Sequence, residues 1–95
     1  MSVLIAIGTT AANSADVSVA AGKTVVFSLF DANGSGVNIG ALAFLQKKAS
    51  NNVYTVFDRL DSGNPVLAFS NPTTTALTVR VSKPAGSAFG VELDA

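Results

Sequence analysis

Apolar and polar residues alternate with a period of two along most of this chain, and turn-forming clusters interrupt the alternation at short intervals. Leu77, Val79 and Val81 alternate with Thr78, Arg80 and Ser82. Phe89, Val91 and Leu93 alternate in the same way with Ala88, Gly90 and Glu92. Val17 and Val19 flank Ser18, and Val25, Phe27 and Leu29 share one face of the next segment. Successive side chains of a strand point to opposite faces, so this pattern predicts extended, half-buried segments. The punctuation is Asp31-Ala32-Asn33-Gly34-Ser35-Gly36, Ser50-Asn51-Asn52, Asp61-Ser62-Gly63-Asn64-Pro65, Asn71-Pro72 and Lys83-Pro84-Ala85-Gly86. These residue types either permit positive φ or bond their own backbone.

The pattern predicts strands over 2–7, 15–20, 23–30, 38–48, 52–59, 65–70, 76–82 and 87–93. Within 38–48, Ala, Leu, Gln and Lys also favour a short helix; the surrounding strands argue for an extended segment. The expectation is all-β: a single antiparallel β-sandwich over residues 1–95, immunoglobulin-like or, alternatively, a jelly roll. About seven principal strands in roughly 100 residues suit the first. No solenoid repeat or linker interrupts the chain.

Some strands are apolar on both faces. Val26 and Phe30 lie opposite Val25, Phe27 and Leu29; Leu42 and Phe44 lie opposite Ile39, Ala41 and Leu45. A two-layer sandwich leaves one face of each sheet to water. These four outward positions therefore mark either a covered surface, with Val26, Phe30, Leu42 and Phe44 as candidate protein-interface residues, or an ordinary scatter of surface apolar groups. Charge bears on the choice. Only 13% of residues are charged, against about 25% in a typical soluble domain. Contact with partners over much of the surface explains such a deficit, as does a surface hydrated by Ser, Thr and Asn.

Several function classes lose their residues at this point. Six basic and six acidic residues give zero net charge, and the basic ones are scattered, so there is no nucleic-acid footprint. No apolar run approaches the ~20 residues of a spanning helix. The opening Met1-Ser2-Val3-Leu4-Ile5-Ala6-Ile7 lacks a positive n-region and reads as a first strand; this predicts a protein made, and kept or assembled, in a cytoplasm. With no His and no Cys, a Ser-His-Asp triad, thiol nucleophiles and thiolate metal sites have no residues to work with. Asp58 and Asp61 are formally a carboxylate pair, but Asp61 belongs to a turn where Asp is expected for backbone reasons. Asp31-Ala32-Asn33-Gly34-Ser35-Gly36 matches the start of a calcium loop, yet its twelfth position is Leu42 where such a loop needs Glu. A hairpin is the expected reading there. No Gly-rich phosphate cradle is present, and no pattern calls for a cofactor or small-molecule substrate. Asn51, Asn52 and Tyr54 offer a thin version of a sugar site.

The segment Ile7-Gly8-Thr9-Thr10-Ala11-Ala12-Asn13-Ser14-Ala15-Asp16, followed by Val19-Ala20-Ala21-Gly22-Lys23-Thr24-Val25 and Phe27-Ser28-Leu29-Phe30, resembles the opening of small virion β-sandwich proteins of tailed bacteriophages. Asn64-Pro65-Val66-Leu67-Ala68-Phe69-Ser70, Val79-Arg80-Val81-Ser82-Lys83-Pro84 and Phe89-Gly90-Val91 are similar to that group too. The resemblance implies a structural part of the particle: a capsid decoration or cement protein, at the capsid surface of the virion and made in the host cytoplasm. Its implied partners are the major capsid protein and copies of itself, with no nucleic acid and no membrane. It carries over no catalytic residues. Two alternatives stay open: a tail, fibre or baseplate module that binds host glycan, and an immunoglobulin-like adhesion or enzyme-accessory domain.

Overall fold

The computed structural model describes residues 2–32, 34–35 and 40–94. Over these residues the chain forms strands and no helix: β1 (Ser2–Gly8), β2 (Ala12–Asn13), β3 (Val17–Val19), β4 (Thr24–Asp31), β5 (Gly34–Ser35), β6 (Leu42–Lys48), β7 (Tyr54–Asp61), β8 (Val66–Ser70), β9 (Leu77–Lys83) and β10 (Phe89–Asp94). They build two antiparallel sheets packed face to face. In the first, β1 pairs β10 and β10 pairs β4, while β5 and β8 share the far side of β4. In the second, β2 and β3 share one side of β9, followed by β6 and then β7.

Period-two burial is the physical reason for both sheets. In β4, Val25, Phe27 and Leu29 are buried while Val26, Ser28 and Phe30 are half-exposed. Leu45 and Leu60 from the second sheet, with Val79 and Val81, meet Phe27, Leu29, Phe89 and Val91 from the first. Each large side chain removed from water contributes about 1.5–3 kcal/mol. In β6 the same parity buries Ala43 and Leu45 and turns Leu42 and Phe44 outward. Its ladder is completed by β7 on one side and β9 on the other. That two-sided pairing overrides the local helix preference of this segment. The strand begins at Leu42, after Gly40 at φ 99. Of the expected 38–48, residues 38 and 39 lie outside the described residues, as does Ile39 of the predicted inner face.

Other boundaries shift for identifiable reasons. The expected strand 15–20 contracts to β3, and an unpredicted β2 precedes it. Between them Ser14 is buried; its amide donates to Val81 O at 2.8 Å, and the Val81 amide donates to Ser14 Oγ at 2.9 Å. The hydroxyl thus stands in for a backbone acceptor, and the chain crosses a break between the two short strands. The expected 52–59 moves to 54–61, because the turn at 49–53 extends to Asn52 at φ 65. Asp31 pairs with Gly34 and Phe30 with Ser35, the antiparallel pairing a hairpin requires, while Asn33 and Gly36 of that stretch lie outside the described residues.

The crossing from β8 in the first sheet to β9 in the second is pinned by Asn71, which is 1% exposed. Its Nδ2 donates to Val19 O at 2.9 Å and to Thr75 O at 2.8 Å. Its Oδ1 accepts from the Thr73 amide at 2.9 Å and from Thr73 Oγ1 at 2.6 Å. The backbone of Asn71 also joins the 20–23 turn, donating to Lys23 O and accepting from Gly22 N. Gly22 sits at φ 73 in that turn, a conformation that favours glycine.

Candidate functional site

The four outward apolar residues do not converge. Val26 and Phe30 lie on the outer face of the first sheet, and Leu42 and Phe44 lie on the outer face of the second, across the core. Their cross-strand neighbours dilute each pair further. Val26 sits between Ala68 and Asp94, Leu42 beside Asp61, and Phe44 between Arg59 and Ser82. Phe30 has an internal role: it pairs with Gly90, and its ring lies over that residue. A Cβ at position 90 would come within 2.7 Å of Phe30 Cε1 and 2.5 Å of Ile5 O. The ring covers a strand glycine whose missing side chain leaves backbone bare.

The outer face of the second sheet carries the main polar constellation. Tyr54 Oη donates to Asp16 Oδ1 at 2.6 Å, and Lys48 Nζ reaches Asp16 Oδ2 at 3.4 Å. The Arg80 guanidinium stacks 3.5 Å from the Tyr54 ring centroid, and its Nε donates to Gln46 Oε1 at 2.7 Å. The Tyr54 hydroxyl holds the Asp16 carboxyl below its usual range, and Asp16 in turn pushes the phenol up. Both shifts move the groups away from neutral pH, so the pair stays as phenol and carboxylate and supplies no poised acid or base. The arrangement ties the approach to β3 onto β6, β7 and β9. It also occupies one face and the hydroxyl of Tyr54, while Asn51 Oδ1 accepts from the Val53 amide within its own turn. Asn51 and Tyr54, two of the three residues suggested for a sugar site, are therefore engaged within the fold, while Asn52 is exposed at φ 65 in the turn.

Asp58 and Asp61 fall on opposite faces of β7: Asp58 is registered with the inward Leu45 and Asp61 with the outward Leu42. Asp58 Oδ1 accepts from the Arg59 amide, and Asp61 Oδ1 accepts from the amides of Gly63 and Asn64. Their spacing in sequence does not make a facing pair of carboxylates.

Lys83 carries a feature that the turn reading of its segment misses. It ends β9 on the inward face, after Val79 and Val81, and is 2% exposed. Its Nζ donates to Gly8 O and to Phe89 O, the latter at 2.6 Å, and lies 4.5 Å from the Phe89 ring centroid. Burial holds its pKa below the ordinary lysine value. Extending the Val79-Val81 parity by two residues is the signal that would have found it.

Exposed apolar surface collects instead on strands at the edges of the sheets. Among the described residues, the exposed large apolar side chains are Val3 and Ile7 on β1, Val53, Val56 and Phe57 on or just before β7, and Val66 on β8. β1 and β8 pair on one side only, as does β7. On the side where β7 and β8 come together, the Phe57 and Phe69 rings pack at 5.2 Å with a 53° tilt. They line a pocket of about 220 Å³ together with Pro72, Thr73, Leu77 and the stem of Lys47. Phe57 turns into this gap because it is the extra residue of a β-bulge: Leu45 pairs Asp58, whereas Gln46 pairs Val56. A broader depression of about 630 Å³, sharing Lys47 and Leu77, continues past Lys48 and Asn52.

No protein-family model, curated protein or solved structure gives a significant match to this chain.

Proposed function

We propose that this chain is a non-enzymatic structural module that works by contact with other protein copies, as a decoration or cement protein on a bacteriophage capsid. The observation that carries the contact role is the concentration of exposed apolar side chains on one-sided strands, above all on and just before β7, where Val53 and Val56 are exposed and Phe57 lines the pocket with Phe69. Free edges with apolar side chains are surfaces on which another chain can be added or packed. The low charge fits such a surface, and the virion address rests on the resemblance of residues 7–30, 64–70, 79–84 and 89–91 to small phage sandwich proteins. Weak contacts repeated over a lattice hold firmly through multivalency. Seven strands of five or more residues favour an immunoglobulin-like arrangement over a jelly roll.

The test is location and stoichiometry. Mass spectrometry of purified particles should find the chain at a copy number comparable with that of the capsid protein, and added protein should bind saturably to capsids that lack it. A copy number of a handful would move it to the tail. Failure to bind such capsids would refute the decoration role.

A further inference from the structure

We propose that the free edge of β7 accepts a short extended segment of a partner protein, with an apolar side chain of that segment in the Phe57–Phe69 pocket and a carboxylate two residues along it paired to Lys47. This rests on the reading of the β7–β8 side as a protein-contact surface and specifies what it takes.

Three observations converge. The first is the backbone: β7 ends the sheet order, so one of its edges carries no strand among the described residues. Strand addition to such an edge supplies main-chain hydrogen bonds, and pockets for alternate side chains supply specificity. The second is the pocket, to which β7 contributes Phe57, with Phe69, Pro72 and Leu77 as its other apolar lining. The third is charge. Lys48 has Asp16, Arg59 has Asp61, and Lys83 has two carbonyls. Lys47, exposed at the pocket wall, has no carboxylate partner among the described residues. It occupies an inward register position on β6 between Val79 and Thr55 and lines the same pocket as Phe57; a lysine stem can cover apolar surface while its ammonium stays hydrated. In an added strand, side chains two residues apart lie about 7 Å from each other on one face. Lys47, on the neighbouring β6, lines the same pocket as Phe57, so a carboxylate one repeat from a pocket-filling apolar residue is the partner it would select. The bulge at Val56–Asp58 breaks the regular ladder, which suits a segment of a few residues and opposes indefinite edge-to-edge pairing.

Panning a random dodecapeptide library against the full chain tests this, followed by titration of the enriched peptide. The enriched sequences are expected to alternate apolar and acidic residues. Lys47→Glu should weaken binding at least tenfold, Lys47→Arg should retain it, and Phe57→Ser should abolish it. Bound peptide should also slow hydrogen exchange at β7 amides. Thermal melts of Lys47→Glu and Lys47→Arg that match the parent show that loss of binding is not loss of fold. Failure to enrich, enrichment of basic sequences, or binding indifferent to Lys47→Glu overturns the proposal. Concentration-dependent dimerisation that buries Phe57 overturns it in favour of a second copy. Capsid association that survives Lys47→Glu and Phe57→Ser would refute this inference and leave the decoration role standing. Peptide binding by a chain that never joins particles would do the reverse.

Discussion

Replacing Asn71 with Ala removes the hydrogen-bonding hub that holds the crossing between sheets. The side chain is 1% exposed and engages Val19 O, Thr75 O, the Thr73 amide and Thr73 Oγ1 at 2.6–2.9 Å. A buried polar group left without its partner costs about 1–3 kcal/mol. The loss is full at Val19 O, whose bond to Asn71 is buried, and partial around Thr73 and Thr75, where water can enter. Thr73 Oγ1 also keeps Thr75 O as an acceptor at 2.8 Å. The sum is about 2–4 kcal/mol, a large fraction of the ~5–15 kcal/mol that separates a folded domain from its unfolded chain. At about 4–8 °C per kcal/mol for a domain of this size, Tm should fall by roughly 10–30 °C. Urea titration read by circular dichroism gives the free energy, with an unchanged slope showing that the unfolded state is not altered. Thr73→Val is the control, expected to cost about 1 kcal/mol or less because it removes one hydroxyl at an exposed position. An Asn71→Ala variant within about 1 kcal/mol of the parent would refute the hub, since even the single Val19 carbonyl should cost that much.

Gly90→Ala should destabilise by about 1–3 kcal/mol, as expected of overpacking, because its Cβ would meet Ile5 O at 2.5 Å and Phe30 at 2.7 Å. Adding Phe30→Ala should recover part of that loss in a double-mutant cycle, the Ile5 carbonyl retaining the rest. Lys83→Met leaves the carbonyls of Gly8 and Phe89 without their donor and should cost about 1–3 kcal/mol in urea titration at pH 7. Because burial lowers the Lys83 pKa below 10.5, the unfolded chain binds more protons in the window just below 10.5. Stability of the parent relative to Lys83→Met should therefore rise with pH there. Asp16 has a lowered pKa through the Tyr54 hydroxyl, so its contribution is present above about pH 3.9 and is lost as pH falls through the folded value. Tyr54→Phe should move the Asp16 carboxyl titration upward by NMR. Asp16→Asn should move the Tyr54 phenol titration, raised above 10.0 by that carboxylate, downward by ultraviolet absorbance.

The strands that read well from sequence are those whose inward and outward positions differ in kind. In β4, β9 and β10, the Val25-Phe27-Leu29, Val79-Val81 and Phe89-Val91 series are the buried ones. What stayed hidden depends on partners remote in sequence. The break at Ser14 exists because its hydroxyl replaces a backbone acceptor for Val81, and the bulge at Phe57 is defined by its register against Leu45 and Gln46. Face parity placed Val26, Phe30, Leu42 and Phe44 outward correctly, yet it carries no information about which strand ends a sheet. Strand order is fixed by long-range pairing, so the apolar edge at Val53, Val56 and Phe57 could not be read as an edge. Phe30 gave no sign that its ring covers Gly90, because that glycine reaches it only when β10 pairs with β4.

The charge deficit also takes a sharper form once partners are known. Four of the six basic side chains have partners within the chain: Lys48 and Arg59 in surface pairs with Asp16 and Asp61, Arg80 on Tyr54 and Gln46, and buried Lys83 on two carbonyls. A sheet that must stay solitary protects its free strands with charge, brevity or bulges. Here β8 is five residues long, and β1 and β7 are both broken by register shifts. These devices hinder a long, uniform ladder with another sheet. They leave apolar side chains exposed on strands paired on one side only, and Lys47 exposed in the lining of a pocket. That combination discourages indiscriminate stacking and fits the docking role proposed above.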